Sequence, residues 1–186
     1  MLNYFSISFF LINLIVGGEI MRFSTERLII RDIRESDLEH LLEMNNNPAV
    51  MRYIATGGFN PTSAKEELKA IQRQLKYYKK HEHTGLWMID TTFDTIGWIS
   101  IKYNEDLKGY ELGYRLKERY WSNGYATEAC EGLIEYISRF NINSLYAVAL
   151  NTNYASTRVM EKIGMKMDHR GHLLNDNVLV YKLGDR

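Results

Sequence analysis

A chain of 186 residues, with 45% hydrophobic and 25% charged residues, has the composition of an ordinary folded domain. Positively charged residues (Lys and Arg) and negatively charged residues (Asp and Glu) number 23 each, so the formal net charge at pH 7 is zero. Without excess positive charge the chain lacks the long-range field that attracts nucleic acid or an anionic membrane, and neither partner is predicted. Its single cysteine, Cys130, excludes an intramolecular disulfide and favours a reducing compartment, which predicts a cytoplasmic protein.

The first 20 residues differ from the rest of the chain. Residues 4–16 form an apolar run with no Lys or Arg before it, unlike a secretory signal. The run is also shorter than the roughly 20 apolar residues that span a membrane. We therefore interpret residues 1–20 as an apolar N-terminal extension, with translation starting at Met21, and residues 21–186 as a single domain. The alternative is a strand or helix that packs on the domain or on a second subunit.

The domain is predicted to open with a strand and two helices. Residues 26–33 are dense in β-branched and apolar side chains, which indicates a strand. An N-cap at residues 36–37 then precedes a helix that carries three leucines at residues 38–42. A longer helix begins after a cap at residue 62 or 63, because apolar residues recur every three or four positions from residue 64 to residue 78.

The remainder is predicted to alternate strands with two further helices. Strands are expected at residues 86–91, 95–103, 110–116, 145–150, 165–174 and 178–183. Helices are expected at residues 125–140 and 154–163. The order β-α-α-β-β-β-α-β-α-β-β contains both antiparallel strand runs and strand–helix–strand units, which need parallel crossovers. The sequence therefore predicts an α/β sandwich with a mixed sheet.

Residues 120–129 (YWSNGYATEA) join a predicted strand to a predicted helix. Small residues there let the backbone approach a ligand closely, and the start of a helix leaves N–H groups unpaired with a partial positive charge. These are the features of a phosphate or pyrophosphate site, and backbone dipoles would supply the field that the neutral chain lacks. A plain strand-to-helix turn is the alternative interpretation.

A second segment, residues 151–165, also joins a strand to a helix. Asn151 or Asn153 is placed to cap this helix, and Gly164 is placed to end it in the left-handed conformation. The two segments together resemble the acetyl-CoA-binding signatures of the GNAT superfamily of N-acetyltransferases. Those signatures are a Q/R-x-x-G-x-G/A loop and an N-x-x-S segment followed by K-x-G-F/M.

The match to the loop signature is incomplete at one position. Trp121 stands where the family has Gln or Arg, whereas Gly124 and Ala126 match. Residues 25–31 (TERLIIR) and Asp37 resemble the opening of the branch that includes the ribosomal-protein N-terminal (alanine/serine) acetyltransferases, in which W-x-x-G-Y-A-T-E-A is common. The resemblance extends from about residue 25 to residue 183.

The resemblance implies a GNAT-type sandwich with a splayed central sheet, with acetyl-CoA as cosubstrate and no metal. Backbone amides of residues 122–127 would hold the pyrophosphate, and the pantetheine arm would lie between the strands at 110–116 and 145–150. Asn153 would reach the pantetheine amide. The implied cofactor-binding residues are Leu112, Gly113, Tyr114, Trp121, Ser122, Asn123, Gly124, Tyr125, Ala126, Thr127, Asn153, Ser156, Arg158 and Lys162.

Acetyl transfer needs a neutral amine, a stabilised oxyanion and a proton for the leaving thiolate. Glu111 is the candidate base, acting through water, and Ser156 is the candidate proton donor to sulfur. A backbone N–H near residues 112–113 would polarise the carbonyl. Tyr114 and Tyr154 are alternative donors, and simple surface positions are the alternative interpretation for Glu111 and Ser156.

Other groups carry weaker signals. Trp98 and Tyr103 are candidates for an acceptor-binding wall or for aromatic packing in the sheet. His81 and His83 have a spacing that a helix places on different sides, so no metal site is predicted. Cys130 shares the apolar stripe of its helix and is predicted to lie in the core.

The predicted function is acetyl-CoA-dependent transfer of an acetyl group to a primary amine, by direct attack in a ternary complex. The branch resemblance favours a protein N-terminal α-amine of the ribosomal-protein type. The alternatives are a small amine (a polyamine, amino sugar or drug) as acceptor, or a non-catalytic acyl-CoA-binding module. A homodimer is compatible with the resemblance.

Overall fold

The computed structural model describes residues 15–16, 19–54, 62–78, 83–140, 142, 144–173 and 176–184. Its strands are β1 (Ile15–Val16), β2 (Glu19–Ser24), β3 (Ile29–Asp32), β4 (Gly85–Asp90), β5 (Thr95–Asn104), β6 (Gly109–Leu116), β7 (Leu145–Leu150), β8 (Met165–Leu173) and β9 (Asp176–Leu183). Within the described residues they form one sheet in the order β1-β2-β3-β4-β5-β6-β7-β9-β8. Only β6 and β7 run parallel among these described neighbours, so the predicted mixed sheet is confirmed.

The helices are α1 (Leu38–Asn45), α2 (Pro48–Met51), α3 (Ala64–Tyr78), α4 (Tyr125–Ile137) and α5 (Tyr154–Lys162). Gly164 has a φ of 86° and follows α5 in the left-handed conformation, as predicted. Helix α4 ends at Ile137, earlier than the predicted residue 140, and the Ser138 hydroxyl donates to the carbonyl of Glu135 at 2.7 Å at this end.

The helices cover both faces of the sheet. On one face, α4 and α5 pack on a core that includes Trp87, Ile99, Leu112, Cys130 and Leu133. On the other face, α1, α2 and α3 pack on a smaller core, formed by Ile33, Leu41, Met44, Val50, Ile71, Leu86 and Met88. Cys130 is completely buried, as its place on the helix stripe predicts, and burial raises the pKa of its thiol.

The predicted order of elements lacks the strands β1 and β2 and the short helix α2. Strand β2 pairs with β3 and continues across the boundary that we drew before Met21, whereas residues 1–14 and 17–18 of the predicted extension lie outside the described residues. The short helix α2 lies between the first two predicted helices, where no element was expected. The Asn47 side chain accepts a hydrogen bond from the Ala49 N–H at 2.8 Å, and Pro48 occupies the first helical turn, where its missing N–H costs nothing.

Candidate active site

The parallel strands β6 and β7 pair only at their amino ends. The paired residues are Tyr110 with Leu145 and Glu111 with Tyr146, and the pairing stops there although both strands continue for several residues. The sheet is therefore splayed between these strands, as predicted. Past Glu111, this edge of β6 has no strand partner within the described residues, so its main-chain polar groups can pair with a ligand in the gap.

The loop that follows β6 ends in an unusual helix start. Gly124 is the N-cap of α4 with a φ of 81°, and Ser122 also has a positive φ, of 63°. The first backbone N–H groups of α4 and those of the preceding loop, residues 122–127, have no hydrogen-bond acceptor within the described part of the chain. A row of unpaired N–H groups at a helix N-terminus suits an anionic group such as a diphosphate.

Two side chains of this loop donate to nearby backbone carbonyls. The Trp121 indole N–H donates to the Leu116 carbonyl at 2.9 Å, and the Asn123 amide donates to the Trp121 carbonyl at 2.9 Å. Because an indole has a single donor, the Trp121 side chain has none left for an anion. At the position where the family has Gln or Arg, this chain therefore has no free side-chain donor.

Helix α5 places two predicted residues beside β6. Asn153 caps the helix by accepting the Ser156 N–H at 3.2 Å, which confirms the capping prediction for Asn153. The Ser156 hydroxyl lies 2.8 Å from the Tyr114 hydroxyl, and Tyr114 also donates to the Ser156 carbonyl at 3.1 Å. The two candidate proton donors thus form one hydrogen-bonded pair that bridges β6 and α5.

Glu111 is held by two donors on neighbouring β-strand positions. The Asn104 amide donates to its Oε2 at 2.6 Å, and the Lys102 ammonium lies 3.3 Å from its Oε1. Its side chain is 16% exposed. Glu111 is therefore a partly buried, oriented carboxylate rather than a freely solvated one, although sequence reasoning did not find either of its partners.

Successive residues of a strand point to opposite faces, and this separates the predicted residues. Glu111 and Trp98 share the face covered by α1, α2 and α3, where Trp98 packs on the smaller core. Tyr103 lies on the other face, where its ring packs edge-on against Tyr110 at 5.5 Å. The structure therefore brings Trp98, but not Tyr103, to the Glu111 face, and the two do not line one wall.

A partly buried polar cluster next to Trp98 was missed by the sequence analysis. The Arg115 guanidinium lies 5.1 Å from the centre of the Trp98 ring and donates to the Asn45 amide oxygen. Asn45 donates in turn to Glu67 at 2.8 Å. Desolvation by burial lowers the pKa of Arg115 to about 10, although the Glu67 charge opposes this shift. The contacts link β6, α1 and α3, so pattern analysis of any single element gives no signal for them.

The other predicted cofactor residues fall into three groups. Leu112 has a buried side chain, and a Cβ on Gly113 would lie 2.9 Å from the Ser100 hydroxyl, so both can offer only backbone to a ligand. Arg158 and Lys162 are exposed one turn apart on α5, with no ion pair within the described residues. Tyr125, Ala126 and Thr127 form the first turn of α4.

A second polar cluster lies at the carboxyl end of β6. The Lys117 side chain is 2% exposed, and its ammonium lies 2.9 Å from Glu43 and 3.3 Å from Asp94. Arg119 pairs with the same two carboxylates. Every charge in the cluster has an opposite partner, which is what a buried ammonium group requires.

Within the described residues, no group of three or more His, Cys, Asp and Glu side chains is placed to hold a metal ion. His81 lies outside the described residues, and the His83 ring stacks on Phe140 at 4.5 Å. No helix in the described parts of the chain is long and apolar enough to cross a membrane.

The open sheet with helices on both faces, split between two parallel strands, defines a GNAT-type fold. A family model described as "Acetyltransferase (GNAT) domain" matches residues 27–166. Bacillus subtilis YnaD, an uncharacterized N-acetyltransferase, is 29% identical over 149 residues, which are 80% of this chain and 84% of YnaD. Bacillus subtilis YkkB, an uncharacterized protein, is 29% identical over 164 residues, or 85% of this chain and 92% of YkkB.

A solved structure also matches closely in fold. RimL, a ribosomal L7/L12 alpha-N-protein acetyltransferase in complex with coenzyme A, superposes with a TM-score of 0.75 at 19% identity over 87% of this chain and 96% of RimL. The chain belongs to the GNAT acetyltransferase family, and it is an N-acetyltransferase.

Proposed function

We propose that this acetyltransferase binds acetyl-CoA in the gap between β6 and β7 and transfers the acetyl group directly to a protein N-terminal α-amine. The observation that carries the proposal is the row of unpaired backbone N–H groups at residues 122–127. The row begins just past the carboxyl end of β6, the end at which the gap opens. A neutral chain thereby gains a local anion site without surplus Lys or Arg.

The residues around the gap fit both parts of the cosubstrate. The loop amides would hold the diphosphate, and the free edge of β6 near Leu112 and Gly113 would pair with the amides of the pantetheine arm. Asn153 uses its carbonyl oxygen to cap α5, and its NH₂ group has no acceptor within the described residues. That NH₂ group would donate to a pantetheine carbonyl. Arg158 and Lys162 would lie toward the 3′-phosphate end.

Acetyl-CoA supplies an activated acyl carbon and a thiol leaving group. A neutral amine forms the new N–C bond as the C–S bond breaks, and one proton must leave the nitrogen. Glu111 and Ser156 lie on opposite faces of the sheet, so the base and the acid are on opposite sides of the gap. Glu111 would take the proton from the nitrogen through a water molecule. A backbone N–H near Leu112 or Gly113 would donate a hydrogen bond to the carbonyl oxygen.

The Tyr114–Ser156 pair supplies the proton that the leaving sulfur takes up. Burial raises the pKa of the Tyr114 phenol above its usual range, so this hydroxyl stays protonated at physiological pH. Ser156 is half-buried and is the group that we assign as direct donor, with Tyr114 as its partner. The proton that Glu111 accepts is then released to solvent, and Ser156 regains a proton from solvent, so that the enzyme returns to its starting state after each turnover.

An α-amine is the acceptor best matched to this arrangement. Its pKa of about 7.7–8.0 leaves roughly one molecule in ten neutral at pH 7, against roughly one in 2,500 for a lysine near 10.4. A single carboxylate acting through water is therefore sufficient. RimL, which acts on ribosomal L7/L12, shares the fold and is the model for this acceptor class. A cytoplasmic location is part of the same proposal.

Isothermal titration calorimetry with coenzyme A tests the cosubstrate site directly. We expect saturable binding with one site per chain, and acetyl-CoA should compete with coenzyme A. An absence of binding would overturn the assignment of the gap and of the loop amides.

A further inference from the structure

Thr25 and Arg27, which precede β3, bind the side chain of Glu128 in the first turn of α4. The Thr25 hydroxyl donates to Glu128 Oε1 at 2.5 Å, and the Arg27 backbone N–H donates to the same oxygen at 2.8 Å. The Arg27 guanidinium holds the other oxygen, Oε2, through Nε and Nη2, both at 2.6 Å. Both oxygens of Glu128 are thus fully engaged by residues about 100 positions earlier in the chain.

The same guanidinium lies against the anion-binding loop. Its Nη1 donates to the Asn123 carbonyl at 3.1 Å, and its central carbon lies 4.6 Å from the centre of the Tyr125 ring. A Cβ built on Gly124 would lie 3.4 Å from Nη2. Arg27 therefore contacts three successive residues of the loop as well as Glu128.

The negative charge of Glu128 has two opposing effects at this site, one on the helix and one on an approaching anion. A carboxylate in the first turn of a helix stabilises the helix, because it faces the positive end of the dipole. The same negative charge repels any anion that approaches the same N–H groups. Although partial burial opposes the shift, hydrogen bonds from Thr25 and Arg27 lower the pKa of Glu128, so it is a carboxylate at neutral pH.

We propose that Arg27 is a positioning residue for coenzyme A: it neutralises Glu128 and fixes the loop carbonyl of Asn123, so that the loop N–H groups face an anion. This inference rests on the proposed function, because it concerns the same cosubstrate site. Arg27 acts through the loop and need not touch the ligand. Glu128, which is itself held by the Thr25 hydroxyl, keeps Arg27 in place. This assigns roles to Thr25 and Arg27, which the sequence only matched to a branch of the family.

A double-mutant cycle on the full chain tests the charge compensation, with the Kd for coenzyme A as the readout. Arg27→Met leaves the Glu128 charge unpaired, and we expect Kd to rise by about tenfold or more. Glu128→Gln alone should change Kd by less than about threefold, because it removes the repulsive charge. The double variant should bind at least about threefold more tightly than Arg27→Met alone.

Arg22 provides the matched control. It forms a similar two-point ion pair with Asp32, at 2.7 and 2.8 Å, on strands away from the loop. Arg22→Met should leave Kd unchanged. Arg27→Lys is the conservative variant, and its retained charge should keep Kd within about threefold of the wild type. If Arg27→Met does not give a cooperative thermal transition, Arg27→Gln takes its place, with the same expected loss of affinity.

The outcomes separate this inference from the proposed function. An unchanged Kd for Arg27→Met, or a double variant no tighter than Arg27→Met, overturns the role of Arg27 while leaving coenzyme A binding intact. So does a loss of affinity in Arg27→Lys equal to that in Arg27→Met. Wild-type protein that does not bind coenzyme A overturns the proposed function and this inference together.

Discussion

At the scale of single residues, the two groups assigned to proton transfer are held in different ways. Glu111 is oriented by Asn104 and Lys102, whereas Ser156 is tied to Tyr114 across the boundary between β6 and α5. The sequence identified Glu111 and Ser156 through a family resemblance. It did not identify their partners, because a hydrogen bond between Tyr114 and Ser156 depends on how the splayed sheet and α5 pack.

The first residue-scale prediction concerns Glu111. Glu111→Gln keeps the shape and the bond to Asn104 but cannot take a proton, so kcat should fall about 100-fold while KM for acetyl-CoA changes little. Initial rates measured from pH 6 to pH 9 check this. Glu105→Gln, in the exposed turn after β5, is the control. A variant rate equal to the wild type across this range would remove Glu111 as the base.

The second residue-scale prediction concerns the hydrogen-bonded hydroxyl groups of Tyr114 and Ser156. Ser156→Ala should lower kcat by about 10-fold to 100-fold, since the leaving sulfur loses its nearest donor, and should leave the Kd for coenzyme A nearly unchanged. Tyr114→Phe should have a smaller effect, because Ser156 remains. Single-turnover kinetics distinguish the two. Full activity in Ser156→Ala excludes Ser156 from the mechanism, and a larger loss in Tyr114→Phe would make Tyr114 the direct donor.

At the scale of elements, local signals predicted most of the fold. Capping by Asn153, the left-handed Gly164 and the meander of β4, β5 and β6 depend on neighbours in sequence, and the structure has all of them. Strand β2 escaped prediction because its residues, EIMRFS, alternate poorly and follow two glycines. Its pairing with β3 and its contact with α4 are tertiary, and no periodicity within the strand reveals them.

Truncation tests the proposed domain boundary at the element scale. Removal of residues 1–18 keeps β2 whole and should leave the melting temperature and activity close to those of the full chain. Removal of residues 1–24 also deletes Phe23, which stacks on Tyr136 of α4 at 5.1 Å, and should lower the melting temperature by about 5 °C or more. Differential scanning fluorimetry measures both. Equal melting temperatures for the two truncations would show that β2 contributes no stability.

At the scale of the whole molecule, long-range ion pairs tie the layers together, and these were beyond sequence reasoning. Arg31 pairs with Asp37 at 2.7 Å and with Asp90 at 2.5 Å, joining β3, the start of α1 and β4. The sequence analysis matched Arg31 and Asp37 to a family motif but gave neither residue a role. The pairing of Arg31 with Asp90, 59 positions later in the chain, needs β3 and β4 to be neighbours in the sheet, which no local pattern specifies.

The Asp94 cluster predicts how stability depends on pH. Although burial opposes the shift, hydrogen bonds from Arg119 and Tyr120 and the charge of Lys117 lower the pKa of Asp94 to about 2. An unfolded Asp titrates near 3.9, so the unfolded state binds the proton more readily. The stabilisation is therefore complete above about pH 5 and is lost as the pH falls toward 2.

Asp94→Asn should be less stable than the wild type by about 2 kcal/mol at pH 7, and the difference should shrink between pH 5 and pH 3. Urea unfolding across this range gives both free energies of unfolding. Asp106→Asn, in the exposed turn after β5, should give a small and pH-independent change. A deficit for Asp94→Asn that stays constant down to pH 3 would contradict the assigned pKa shift.

The most direct test of the central claim is mass spectrometry of the products formed with acetyl-CoA and a mixed panel of acceptors. The panel contains peptides with free N-terminal Ser or Ala, the same peptides with a blocked N-terminus and an internal lysine, and small amines such as spermidine and an amino sugar. The account predicts acetylation of the free α-amines ahead of all other acceptors. Preferred acetylation of lysine or of a small amine, or no acetylation of any acceptor, would contradict it.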